Sequence, residues 1–183
     1  MRLRDLLLPG AVGLVLLGCR TGSDRSPAGA ANATHPETGI ALPRDYRETF
    51  TNYLSLDRVQ NHDQIIRLFA NDVAMRGPDE HDRLPFGSVL VAEVYKAKLD
   101  DDGSVALSSL NRRMRGKMAL IAVMERAEHL GQGYEGDLRN GHWDFAAFTP
   151  DGAVASKDLN SCRSCHAPLK STDHLFSLDH LRR

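Results

Sequence analysis

Two cysteines spaced by two residues and followed at once by a histidine, Cys162-Arg163-Ser164-Cys165-His166, lie toward the C-terminal end of a 183-residue chain. This spacing constrains the fold more than any other feature, because it dictates chemistry as well as conformation. Two thiols so placed can add to the two vinyl groups on one edge of a porphyrin, and the histidine that follows is then carried beneath the iron. The motif is therefore read as the attachment of one covalent haem c, with Cys162 and Cys165 holding the porphyrin and His166 as metal ligand. Two other uses of a cysteine pair fit less well. A closed structural zinc site needs four ligands, and no second C-x-x-C or C-x-x-H follows. A thioredoxin-like redox pair lacks its strand-helix setting and leaves His166 without a purpose.

The third cysteine belongs to a different segment. Arg2 and Arg4 precede an apolar run, Leu6 to Gly18, that is interrupted by Pro9-Gly10. It is shorter than the ~20 residues a spanning helix needs, and it reads as an export signal. The run ends in Leu16-Leu17-Gly18-Cys19, which resembles a bacterial lipobox, so residues 1–18 are expected to be a lipoprotein signal peptide and Cys19 the lipidated residue. A competing cleavage pattern, Ala31-Asn32-Ala33, lies too far beyond the apolar run to be preferred. Residues 19–38 are poor in large apolar side chains and rich in Ser, Ala, Gly and Pro, so they cannot offset their ordering entropy by burial and are expected to be a flexible tether. These features predict an exported lipoprotein, anchored to a membrane and facing the periplasm, with two cysteines for haem, one for lipid and none for a disulfide.

Lys and Arg number 23 against 24 Asp and Glu, for a formal net charge of -1. No stretch forms a basic stripe, so nucleic acid is excluded as a partner. The length suits one domain, residues 39–183, and 42% hydrophobic residues suffice for one core.

Within that domain, Arg44 to Phe50 is expected to form a short helix with Pro43 at its first position. Strands are expected over Thr49 to Leu56, Gln64 to Ala70, Ser88 to Lys98, Lys117 to Glu125 and His142 to Phe148, each bounded by Gly, Pro, Asn or Asp. In Ser88 to Lys98 both parities carry apolar residues, so both faces are expected to be at least partly buried. Asp100-Asp101-Asp102-Gly103 and Pro150-Asp151-Gly152 are turn signals. Asn71 to Glu80 is expected to hold a short helix, and Ser156 to Leu169 to wind helically through the haem-binding segment. The long 3.6-periodic stretches of a four-helix-bundle cytochrome are missing from the middle of the chain. The fold class is therefore α+β: a mainly antiparallel sheet, a few short helices, and a haem-binding C-terminal segment.

The order of landmarks resembles the cytochrome P-460 family, which includes the cytochromes c-prime-beta. The matching segments are Leu42-Pro43-Arg44-Asp45-Tyr46-Arg47, Pro85-Phe86-Gly87-Ser88-Val89 leading to Ala92-Glu93-Val94, Gly141-His142-Trp143-Asp144-Phe145, Pro150-Asp151-Gly152 and Cys162 to His166. The resemblance runs from about Ile40 to Leu181. It implies iron held by one histidine, here His166, with the opposite face open to a small ligand. Enzymatic members oxidise hydroxylamine and carry a lysine cross-linked to the porphyrin. By the register of Gly87 to Glu93 that position falls on Ala92, whose methyl group cannot make the link, and Lys96 and Lys98 would need a register shift.

For the distal side, Met118 and Met124 are expected on one buried strand face with Leu120 and Ala122, as core rather than ligands. His35, His62, His81, His129 and His142 lie in polar surroundings and are expected to be exposed. Phe50, Phe69, Phe86, Phe145, Phe148, Tyr95 and Trp143 are core or haem-wall residues. Glu93 and Glu125 are read as solvated strand ends that could accept a proton from a bound ligand. The preferred function is a mono-haem c-type cytochrome that binds a small ligand such as nitric oxide, relays electrons to a redox partner protein, or does both. The alternatives are a hydroxylamine-oxidising enzyme and a six-coordinate electron carrier, and a homodimer is left open.

Overall fold

A computed structural model describes residues 33–59 and 61–182. The expected signal segment 1–18, Cys19 and tether residues 20–32 lie outside the described residues. Five strands follow one another in the chain: β1 (Thr51–Asp57), β2 (Gln64–Ala70), β3 (Val89–Ala97), β4 (Arg115–Arg126) and β5 (Trp143–Phe148). They pair in the same order, each antiparallel to the next, as one five-stranded meander. Two short α-helices flank it, α1 (Tyr46–Thr49) and α2 (Asn160–His166). The mainly antiparallel α+β class is the observed one, and the strands stand where the bounding turn residues place them. Gly103 and Gly152 close two of those turns at φ 83° and 87°, a region that a residue without a Cβ enters freely.

Each face of the sheet carries a packed cluster. On one face, Leu90, Met124, Phe145 and Ala147 pack beneath α2 and the C-terminal tail, against Leu159, Leu175, Leu178 and Leu181. On the other, Phe69, Val91, Ile121, Val123, Ala146 and Phe148 pack against Ile40, Leu42 and Tyr46 from the N-terminal segment and α1.

Several expectations are corrected by this packing. Residues 33–38 belong to the domain rather than to a tether: Thr34 bridges Ala41, the His35 N–H donates to the Ile40 carbonyl at 2.8 Å, and His35 is only 5% exposed. Ile40 and Leu42 drive this, because burying them pulls the preceding residues down with them. Pro43 lies outside α1, which starts at Tyr46 after Asp45; the Asp45 carbonyl accepts the Thr49 N–H at 2.8 Å. The segment from Asn71 to Glu80 forms only a single 3-10 turn, Ala74–Arg76, because Gly77 at φ 82° and then Pro78 cannot continue it. Met118 and Met124 face opposite ways. Val94 pairs with Leu120 but Tyr95 with Met118, so Ala119 is the extra residue of a bulge that shifts the side-chain alternation. Met118 therefore packs with Ile121 and Val123, and Met124 with Leu120 and Phe145.

Glu93 is likewise no strand end. It sits mid-strand and fully buried on the α1 side, where its carboxylate accepts hydrogen bonds from Tyr46 (2.8 Å), Arg47 (2.6 Å), Arg67 (3.2 Å) and Tyr95 (2.8 Å). Burial opposes its ionisation, but the bonds from Arg47, Tyr95 and Tyr46 prevail and hold its carboxyl below the ordinary range. A depressed carboxyl stabilises the fold fully above its unfolded pKa, about 4.3, and the contribution is lost as pH falls from there through the lower folded value. Glu93→Gln should cost about 2 kcal/mol in urea unfolding at pH 7. The gap between variant and wild type should close as unfolding is repeated at successively lower pH below about 4.

Candidate functional site

The site is built on α2, and α2 is placed by a residue inside the motif. Leu159 buries the helix start in the core beneath the sheet, and Pro168 follows the helix end, where it lacks the N–H to continue it. On a helix, Cys162, Cys165 and His166 are neighbours at spacings of three and four, so they share one side. Arg163 points elsewhere, and it is only 1% exposed. Its guanidinium grips Asp144 of β5 with two bonds, Nε to Oδ1 at 2.9 Å and Nη2 to Oδ2 at 3.3 Å. Nη1 reaches Glu37 at 2.8 Å and Asn160 at 2.9 Å, and the Tyr134 ring lies 3.9 Å away. The Asn140 amide completes the clamp by donating to the Arg163 carbonyl at 3.1 Å.

With Arg163 so held, Cys162 packs on the core cluster beneath α2 and His166 lies against Phe145 of β5. Both thiols are free; Cys162 is half-buried against the core and Cys165 is exposed. Burial pushes the Cys162 thiol up from its ordinary value. The His166 ring lies between Phe145, 4.9 Å away, and Phe176, 5.0 Å away and itself 57% exposed. Its Nδ1 is 2.8 Å from the His174 carbonyl. A carbonyl can only accept, so Nδ1 carries the proton and the Nε2 lone pair is free to bind metal. Burial holds the imidazole below its ordinary pKa, which favours that neutral form.

Beyond His166 the same sheet face continues as Leu54, Leu56, Ile66, Leu68, Ala92, Leu120 and Ala122, all only half-buried. Ala92 pairs with Leu68 on one side and Ala122 on the other, and Ala122 pairs with Ala147. Three alanines thus stand abreast in an apolar wall, Ala147 buried beneath α2 and Ala122 and Ala92 half-buried beyond it. These features fit a haem: two free thiols and a tautomer-fixed imidazole on one helix face, next to apolar surface left half open. They do not fit a protein-ligated metal ion, since among the described residues no group of three or more His, Cys, Asp or Glu is gathered to hold one.

Other expected residues fall outside this arrangement. His62, His81 and His129 are exposed, and His142 is half-buried beside Phe86 and Gln132. Phe69, Phe148 and Tyr95 lie on the opposite face, whereas Phe145 and Trp143 belong to the site's side. Glu125 is half-buried, and burial raises its carboxyl above the ordinary range. Arg163, Asp144, His174 and Phe176 escaped the sequence reading. Asp144 did leave a signal, because a single charge in the run Trp143-Asp144-Phe145-Ala146-Ala147-Phe148 must find a partner if the strand is buried.

Removing one partner of a buried ion pair strands the other charge, so Asp144→Ala should lower stability by about 3 kcal/mol. Glu37→Ala, which removes a half-exposed partner of the same guanidinium, should cost under about 1 kcal/mol. Chemical denaturation of both variants checks the ranking.

No curated protein matches the chain in a sequence comparison. The Cytochrome P460 family model matches residues 43–177. That range runs from ahead of α1, through all five strands and α2, to the tail that supplies the His174 carbonyl, and the chain accordingly belongs to the cytochrome P460 family of c-type haem proteins.

Proposed function

We propose that the chain is a mono-haem c-type cytochrome in which Cys162 and Cys165 carry the porphyrin, His166 ligates the iron, and the other face of the iron is open to a small ligand such as nitric oxide. The haem supplies the iron at which such a ligand binds or an electron is held. The observation that carries this reading is the bond from His166 Nδ1 to the His174 carbonyl, which presents Nε2 beside two free thiols. The protein's part is to hold that imidazole in one tautomer and orientation beside Phe145 and Phe176, and to offer an uncharged aliphatic wall on the same sheet face against which a porphyrin would lie. Leu68, Ala92, Leu120 and Ala122 supply that wall and offer no atom able to coordinate iron. Electron exchange with a redox partner protein uses the same haem.

The hydroxylamine-oxidising alternative is disfavoured by Ala92. The nearest lysine on the same face of β3 is Lys96, about 13 Å along the strand at the rise of an extended chain. Its pairing with Gln64 is fixed by the neighbouring register. Cys19 is proposed as a lipid anchor that tethers the domain to a membrane on the periplasmic side; among the described residues no helix is long and apolar enough to cross one.

Protein expressed with a cytochrome c maturation system should keep its haem through acid-acetone extraction, and the double variant Cys162→Ser/Cys165→Ser should release it. Release from the wild type would sink the reading. The ferrous protein should be high-spin and five-coordinate and should bind nitric oxide, whereas a low-spin spectrum inert to carbon monoxide would favour the six-coordinate carrier. Cys19→Ser should abolish lipid labelling and move the protein to the soluble fraction with its haem spectrum unchanged.

A further inference from the structure

The His174 carbonyl reaches His166 because the chain reverses sharply after the 3-10 turn Lys170–Thr172. Two successive residues other than glycine make the reversal in left-handed conformation, Asp173 at φ 50° and His174 at φ 62°. Such a pair persists only where its surroundings over-determine it. Part of the restraint is local: the His174 N–H donates to the Leu169 carbonyl at 2.7 Å, and the Thr172 hydroxyl to the Leu175 carbonyl at 2.7 Å. The rest comes from the sheet. The buried Asp173 carboxylate accepts the Leu84 N–H at 2.9 Å and lies 3.5 Å from Nε of Arg126, the last residue of β4. Arg126 Nη1 in turn donates to the Leu84 carbonyl at 2.5 Å, so both backbone groups of Leu84 are engaged. Arg126 is itself 7% exposed, with its guanidinium carbon 4.4 Å from the Phe86 ring centre.

We propose that Asp173, clamped by Arg126 and Leu84, is a positioning residue for the proximal histidine, holding the His174 carbonyl where it accepts the His166 Nδ1 proton. The inference rests on the reading of His166 as the iron ligand. A hydrogen bond at Nδ1 makes the imidazole a stronger donor, which favours ferric over ferrous iron. Releasing the clamp lets the turn relax and the carbonyl withdraw. Asparagine at 173 still accepts the Leu84 N–H and tolerates a left-handed backbone, so it should keep the turn.

The test is an equilibrium redox titration of the haem-loaded protein, with the iron-histidine stretching band of the ferrous form read by resonance Raman. Asp173→Ala and Arg126→Gln should each lose about tenfold of the ferric-over-ferrous preference, a rise of about 59 mV in midpoint potential. Each should also lower the stretching frequency, while Asp173→Asn should stay within about twofold of wild type on the same scale. Asp173→Ala and Arg126→Gln proteins that hold haem, match the wild-type far-ultraviolet spectrum and keep its potential and stretching band would overturn the proposal. Should Asp173→Ala fail to fold, Arg126→Gln, which leaves the turn's own residues intact, decides by the same two readings. A wild-type protein without an iron-histidine band would instead remove the assignment of His166.

Discussion

The placement of the whole site depends on the buried contact between Arg163 and Asp144. Taking a guanidinium and a carboxylate out of water costs several kcal/mol per ion, so the pair is not an economical source of stability. Its worth is geometric. A bidentate fork has one good orientation, and this one joins the middle of α2 to a strand whose other residues are apolar. A leucine at 163 could slide on β5, whereas a guanidinium shared among Asp144, Glu37 and Asn160 cannot. Once the azimuth of α2 is set in this way, helical spacing turns Cys162, Cys165 and His166 to one side together.

The sheet then divides two kinds of chemistry between its faces. Beneath α1 lies a buried carboxylate with two tyrosines and two arginines around it; beneath α2 lies a face of leucines and alanines. Glu93 and Ala92 are adjacent in sequence and belong to opposite faces, because successive side chains of a strand alternate. An uncompensated carboxylate among those leucines and alanines would act strongly on any neighbouring redox centre, whereas Arg126 and Asp173 on this side lie at the end of β4 and compensate each other. Strand alternation keeps the Glu93 charge a sheet's thickness away while leaving it available to tie α1 to β3.

The parts legible in the sequence were those written in local patterns. Strand positions were marked by β-branched and aromatic runs between Gly, Pro, Asn and Asp, and the thiol-thiol-imidazole spacing spoke for itself. What escaped was non-local. The Ala119 bulge carries no signature of its own, since nothing in Met118-Ala119-Leu120 marks which residue is extra until β3 is laid beside it. His35 looked exposed because its neighbours are small and polar, and it is buried because Ile40 and Leu42 are drawn into the core. Glu93 could be seen as a charge in an apolar run, but four partners from α1, β2 and β3 become visible only in three dimensions.

The choice of residues at 173 and 174 follows from what the turn must do. Glycine would adopt both left-handed conformations without strain, yet it has no side chain with which to fasten the turn, and its freedom would let the carbonyl swing. Asp and His are among the few other types that enter this region readily, at a cost of about 1 kcal/mol each. In return Asp173 contributes a carboxylate that reaches Leu84, and the His174 ring donates from Nδ1 to the His166 carbonyl at 3.2 Å. His166 and His174 are thus bonded to each other twice, each ring to the other's backbone. A modest backbone strain is exchanged for an imidazole oriented by its own Nδ1 bond, on a backbone that the His174 ring ties across the same turn.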